Sequence, residues 1–113
     1  MEYIVADNID EITINYEEDG ILVTKELDKV ILSKGAWTTI IFRFQQWDRK
    51  KEAYGPERYS IRRYRKVSGT YRQQGKFNIS SRDQARKIIE TLDKWLILAV
   101  DQPDEESDDS DAN

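Results

Sequence analysis

The chain has 113 residues, is 38% hydrophobic with a net charge of −4, and contains neither Cys nor His. That excludes a disulfide framework, thiolate metal sites, the commonest metal ligand and every Ser-His or Cys-His nucleophile system. No apolar run approaches the roughly 18 residues needed to span a bilayer, and Met1-Glu2-Tyr3-Ile4-Val5 lacks the basic and apolar regions of a signal peptide.

Residues 1–22 carry seven acids and no base, and read as an acidic N-terminal extension. Within them Ile12, Ile14 and Tyr16 alternate with Thr13 and Asn15, which suits a short strand, and Glu18-Asp19-Gly20 then reads as a turn. This stretch is expected to lie outside the core. Four strands are predicted next. The first lies within Val23–Ser33, and Lys34-Gly35 turns the chain. The second, Trp37–Phe44, is rich in β-branched and aromatic residues. Thr38, Ile40, Phe42 and Phe44 on one parity make a core face, and Trp37, Thr39, Ile41, Arg43, Gln45 and Trp47 a mixed polar–aromatic one. After a charged loop from Asp48 to Pro56, Arg58–Lys66 forms the third strand, Ser68-Gly69 a hairpin turn and Tyr71–Ile79 the fourth, with a bulge expected at Gly75.

One helix closes the domain. Ser81 with Gln84 fits a capping box, and Ala85, Ile88, Ile89, Leu92, Trp95 and Leu96 recur at helical spacing until about Asp101. This apolar stripe is expected to build the core, with Ile88, Leu92, Trp95 and Leu96 also forming much of a dimer interface. Residues 101–113 hold acid, Ser and one Pro with no large apolar residue, so they are expected to be disordered. The expected fold is α+β: a four-stranded antiparallel sheet followed by one C-terminal helix, over residues 23–100. So small a domain buries only about 60% of its unfolded surface, which invites oligomerisation.

The net charge conceals a segregation. All eighteen Lys and Arg lie between Lys25 and Lys94 with only eight acids among them, so the middle of the chain is +10 and each end −7. Such a distribution points to a polyanionic partner. The basic residues are also interleaved with aromatics on strands: Trp37, Arg43, Trp47, Arg62, Tyr64, Lys66, Tyr71, Arg72 and Lys76. Single-stranded nucleic acid asks for this pairing, because cations track phosphates while flat rings stack bases without reading sequence. A duplex reader would place Arg, Asn or Gln on a helix in the major groove. The single helix here has a charged face of mixed sign. No Gly-rich phosphate loop, catalytic carboxylate pair or calcium-loop spacing occurs, so no enzyme activity, metal or cofactor is expected.

Residues 23–97 resemble the positive cofactor four family of transcriptional coactivators and its prokaryotic and bacteriophage homologues. Tyr59-Ser60-Ile61-Arg62-Arg63-Tyr64 is similar to the family's third strand, and Gly75-Lys76-Phe77-Asn78-Ile79-Ser80 to its last strand and helix start. The resemblance implies a homodimer with paired helices, curved sheets and channels for single-stranded DNA. It implies Arg62, Tyr64 and Lys76 as contacts, with Phe44 or Trp47 as an aromatic. Arg65 stands where eukaryotic members tend to have Trp, so stacking would move to Trp37, Trp47 or Tyr71. The acidic, Ser-rich region of those members precedes the domain, whereas the cleaner acidic tail here follows it.

The function expected is binding of single-stranded DNA with little sequence specificity, in transcription regulation or in DNA replication, recombination and repair. The acidic tail is a candidate dock for a replication or transcription protein. The expected location is cytoplasmic, with nucleoid association in a prokaryote or nuclear residence in a eukaryote, and no membrane. An RNA-binding chaperone using the same sheet, or an adaptor that docks an acidic protein, are the alternatives.

Overall fold

A computed structural model describes residues 5, 6 and 8–99, the first two as backbone only. The acidic tail expected at 101–113 therefore lies outside the described residues. The elements in chain order are β1 (Val5–Ala6), a single 3-10 turn (Ile9–Glu11), β2 (Tyr16–Glu18), β3 (Ile21–Ser33), β4 (Trp37–Asp48), β5 (Ala53–Tyr54), β6 (Arg58–Val67), β7 (Thr70–Ile79) and α1 (Arg82–Leu98). They form an α+β fold in which a curled antiparallel sheet precedes one helix.

The four predicted strands correspond to β3, β4, β6 and β7, but the sheet is larger than four. Its order is β1-β7-β6-β4-β3-β2, with the two-residue β5 paired to β4. The additions are strands of two or three residues, too short for periodicity to mark, and the short strand read over Ile12–Tyr16 is irregular until Tyr16, where β2 begins. Turn chemistry fixes two of the hairpins. Asp19 and Gly20 have φ of 54° and 80°, and Ser68 and Gly69 repeat those values. Positive φ at both central residues is the type I′ pattern whose twist matches the flanking strands.

The alternation of β4 is as read from sequence: Thr38, Ile40, Phe42 and Phe44 are all buried. What covers them differs from expectation. The cover is not the helix but residues 8–15, which run as a strap across the sheet and contribute Ile12 and Ile14, 1% and 3% exposed, to a core with Ile40, Phe42, Phe44, Tyr64 and Tyr71. The stretch set apart as an extension is thus part of the fold. Ile12 and Ile14 also lie outside the regular strands, and side chains from β3 anchor the strap instead. Lys29 donates from Nζ to the carbonyls of Ile9, Asp10 and Ile12. Glu26 accepts from Thr13 Oγ1 at 2.6 Å and from the Ile14 amide at 3.2 Å, while Asn15 Oδ1 accepts from the Glu26 amide at 2.7 Å.

Ser81 caps α1 as predicted, accepting from the Gln84 amide at 3.0 Å. The reciprocal bond is displaced by one residue, since Gln84 Oε1 accepts from the amide of Ser80 at 2.6 Å. The expectation that the helix builds the core is not met. None of its residues is buried, and Ile89, Leu92, Trp95 and Leu96 are each at least half exposed. A helical stripe shows that an apolar face exists, not what covers it. Among the described residues no helix is long and apolar enough to cross a membrane.

Candidate nucleic-acid interface

Residues directly opposite one another on antiparallel strands share a face, so the register sorts every basic and aromatic side chain. On the inner face, under the strap, Arg62 of β6 stands between Ile40 of β4 and Lys76 of β7. Tyr64, Lys66, Tyr71 and Arg58 share that face. On the outer face, toward which α1 folds, lie Trp37, Arg43, Trp47 and Arg72. The nine residues named from the sequence are therefore divided between the two faces of the sheet.

Several of the nine have structural occupations. Tyr64 is 0% exposed and Tyr71 8%, both within the core beneath the strap, so neither ring offers a face to a base. Phe44, an aromatic implied by the resemblance, is buried with them. Arg43 is paired with Glu57 at 3.0 Å. Trp47 meets Tyr54 edge-on, with centroids 5.0 Å apart, and Lys25 sits 4.8 Å over the other partner's ring. Tyr54 in turn donates to the Leu22 carbonyl at 2.8 Å, and Gln45 Nε2 to that of Gly55 at 3.0 Å. Trp47 thereby belongs to the packing that holds the 49–57 loop against β4.

Arg62 and Lys76 are different. Arg62 is half-buried, and its hydrogen bonds go to neutral groups: Nε to Ser60 Oγ at 3.1 Å and a terminal nitrogen to Gln73 Oε1 at 3.3 Å. Ser60 is itself held by Asn78 Oδ1 at 2.7 Å, which orients the acceptor. Among the described residues no carboxylate lies within ion-pair distance of Arg62 or Lys76. Burial pulls the Arg62 pKa down, the nearby Tyr64 opposing it, because desolvation penalises the charged form. The residue directly opposite is another cation, exposed Lys76. Like charges facing each other across a strand pair cost stability, and a half-buried guanidinium without a counter-ion costs more. An anionic oxygen bound between them relieves both penalties. Arg58, exposed and on the same face of β6, extends the positive edge, while the strap separates Lys66 from it.

Three basic residues not named as contacts from the sequence matter here: Arg58, and on the outer face Arg63 and Arg65. The Arg63 guanidinium carbon is 4.1 Å from the Trp37 ring centroid and that of Arg65 5.1 Å. Their parity matched that of Trp37 only once the β4–β6 register was known, and a single strand's alternation does not supply that register. Compared with known proteins, the chain matches no family model, no curated protein and no solved structure.

Proposed function

We propose that this protein is a non-enzymatic, dimeric single-stranded DNA-binding protein of little sequence specificity, serving transcription regulation or DNA replication, recombination and repair. The observation that carries the reading is the Arg62–Lys76 pair, a half-buried guanidinium whose partners among the described residues are neutral, facing a second cation. The fold keeps a positive charge there at a cost that a phosphate removes. The two segments that resemble the positive cofactor four family are adjacent antiparallel strands, and their matched basic positions are the ones directly opposed. That adjacency supports the resemblance.

Dimerisation is supported by an apolar surface that no described residue covers. Leu92, Trp95, Leu96, Ile97 and Leu98 are 50–75% exposed. Beside them, between α1 and the outer face, lies an open groove of about 550 Å³ lined by Ile41, Tyr59, Ile61, Ile79, Ile88 and Ile89, among others. Single soluble domains rarely leave so contiguous an apolar patch uncovered.

The test is fluorescence anisotropy with labelled oligothymidine, a matched duplex and a matched RNA at several salt concentrations, using the wild type and Arg62→Gln/Lys76→Gln. Tight, salt-sensitive binding to the single DNA strand, lost in the double variant, is the expected result. Duplex binding at least equal to single-strand binding refutes the reading. Equal RNA binding moves it to the RNA chaperone, and no binding at near-physiological salt moves it to the adaptor.

A further inference from the structure

The second cation of β7, Arg72, lies on the other side of the sheet from Lys76. Lys76 and Arg72 are four residues apart, a spacing that puts side chains on the same face of a regular strand. Here they face opposite ways, because the register shifts between Arg63↔Gly75 and Tyr64↔Gln73, leaving Gln74 as an extra residue. The bulge expected at Gly75 thus reverses parity, with Lys76 inward opposite Arg62 and Arg72 outward opposite Arg65.

Arg65 also stands directly opposite Trp37, so one row, Trp37–Arg65–Arg72, crosses β4, β6 and β7 on the outer face. Arg63 joins it by its contact with the Trp37 ring. Arg65 and Arg72 are exposed, Arg63 and Trp37 half-buried. No carboxylate among the described residues lies within ion-pair distance of the three guanidinium groups. Arg65 and Arg72 thereby repeat, on the second face, the opposed like-charge pair seen on the first.

We propose that Trp37, Arg63, Arg65 and Arg72 form a second nucleic-acid contact surface. It would take phosphates and a base of the same single strand that Arg62 and Lys76 hold, with the strand passing round the outer edge of β7. This rests on the single-strand reading above. Three observations support it. The cation row includes a half-exposed indole over which the Arg63 and Arg65 guanidinium groups sit. It therefore offers charge for the backbone and a cation–π stack whose open side can take a base. An acidic peptide would use only the first. Among the described residues the edge between the faces is unpaired beyond β1, which meets β7 at Tyr71 and Arg72, and no described strand lies alongside Gln73–Ile79. At the crossing point Gly75 has no side chain, and no described residue lies within 4 Å of where its Cβ would be.

The test compares full-length wild type, Arg65→Gln/Arg72→Gln, Trp37→Phe and Arg62→Gln/Lys76→Gln on labelled oligothymidines from about 4 to about 16 nucleotides, the range of site sizes for single small folds. The outer double variant changes two exposed side chains, and circular dichroism checks its fold. It is expected to bind the shortest oligonucleotide as wild type does but to lose roughly tenfold on the longest. Its salt slope there should shrink by about 1.4, two contacts at about 0.7 each. Trp37→Phe should lose the tryptophan quenching that the long oligonucleotide causes. Wild-type affinity of the outer variant at every length overturns the second surface while leaving the inner site standing. Displacement of long oligonucleotide from the outer row by polyglutamate of equal charge, with no quenching of Trp37, also overturns it. Failure of the wild type to bind any oligonucleotide overturns both readings together.

Discussion

Tyr64→Phe isolates one buried atom. The ring is fully buried, and its hydroxyl has no hydrogen-bond partner among the described residues. A buried hydroxyl without a partner costs about 1–3 kcal/mol, whereas the ring is equally buried as Phe. The substitution should therefore raise stability at neutral pH by about 1 kcal/mol, which for a domain this size is a melting-temperature increase of about 4–8 °C. Alkaline pH supplies an independent readout. Burial, with a contribution from Glu26 and against the pull of Arg62, pushes the Tyr64 pKa from its ordinary 10 up to about 12. Between those values the unfolded chain has released the proton and the folded one has kept it. Wild-type stability contributed by this group is complete below pH 10 and falls as pH rises toward 12, by up to about 3 kcal/mol. The Phe variant has no such group, so the stability gap between the two proteins should widen over that window. Urea unfolding of both at pH 7 and at steps from 9.5 to 11.5, as about the accessible range, measures both effects. A variant less stable by more than about 1 kcal/mol at pH 7, or a gap that stays constant with pH, refutes the orphaned hydroxyl. The same variant should bind oligothymidine like the wild type, since the ring is closed to solvent.

Two further outcomes follow from the core and the helix. Ile12→Ala removes a side chain 1% exposed from the strap and should cost about 2–5 kcal/mol in urea unfolding; a loss below about 1 kcal/mol would mean the strap is not part of the core. Leu96→Lys alters a residue 68% exposed in the monomer, so it should leave thermal stability of the protomer intact while converting a dimer to a monomer in analytical ultracentrifugation. A wild type that sediments as a monomer refutes dimerisation.

The four long strands and the helix were legible because local chemistry encodes them. Thr38, Ile40, Phe42 and Phe44 alternate cleanly, Asp19-Gly20 and Ser68-Gly69 meet the φ requirement of tight hairpins, and Ser81 caps at once. The strap was not legible. Ile12 and Ile14 are buried without belonging to a ladder, and the side chains that tie the strap down come from Glu26 and Lys29, 11 to 20 residues away. The candidate site was half legible. The residue types were right, but opposition of Arg62 to Lys76 and of Arg65 to Trp37 is a fact of register. Placing Arg72 and Lys76 on opposite faces depended on a single extra residue at Gln74. Charge alone set residues 1–22 apart, because a negative stretch beside a positive one reads as a boundary even where two isoleucines cross it.

The strap also sets an order of assembly. Its ties to Glu26 and Lys29 close short loops, and those partners leave the ribosome soon after the strap itself. The pairing of Val5 with Arg72 and Ala6 with Tyr71 closes a loop of most of the domain, and the entropy of that closure is met only after β6 and β7 exist. An N-terminal half can therefore fold locally around β3 while the core stays open on its β7 side. Until β7 arrives, Ile12 and Ile14 have only part of their cover, so a strand made well after them is the one that seals the strap in place.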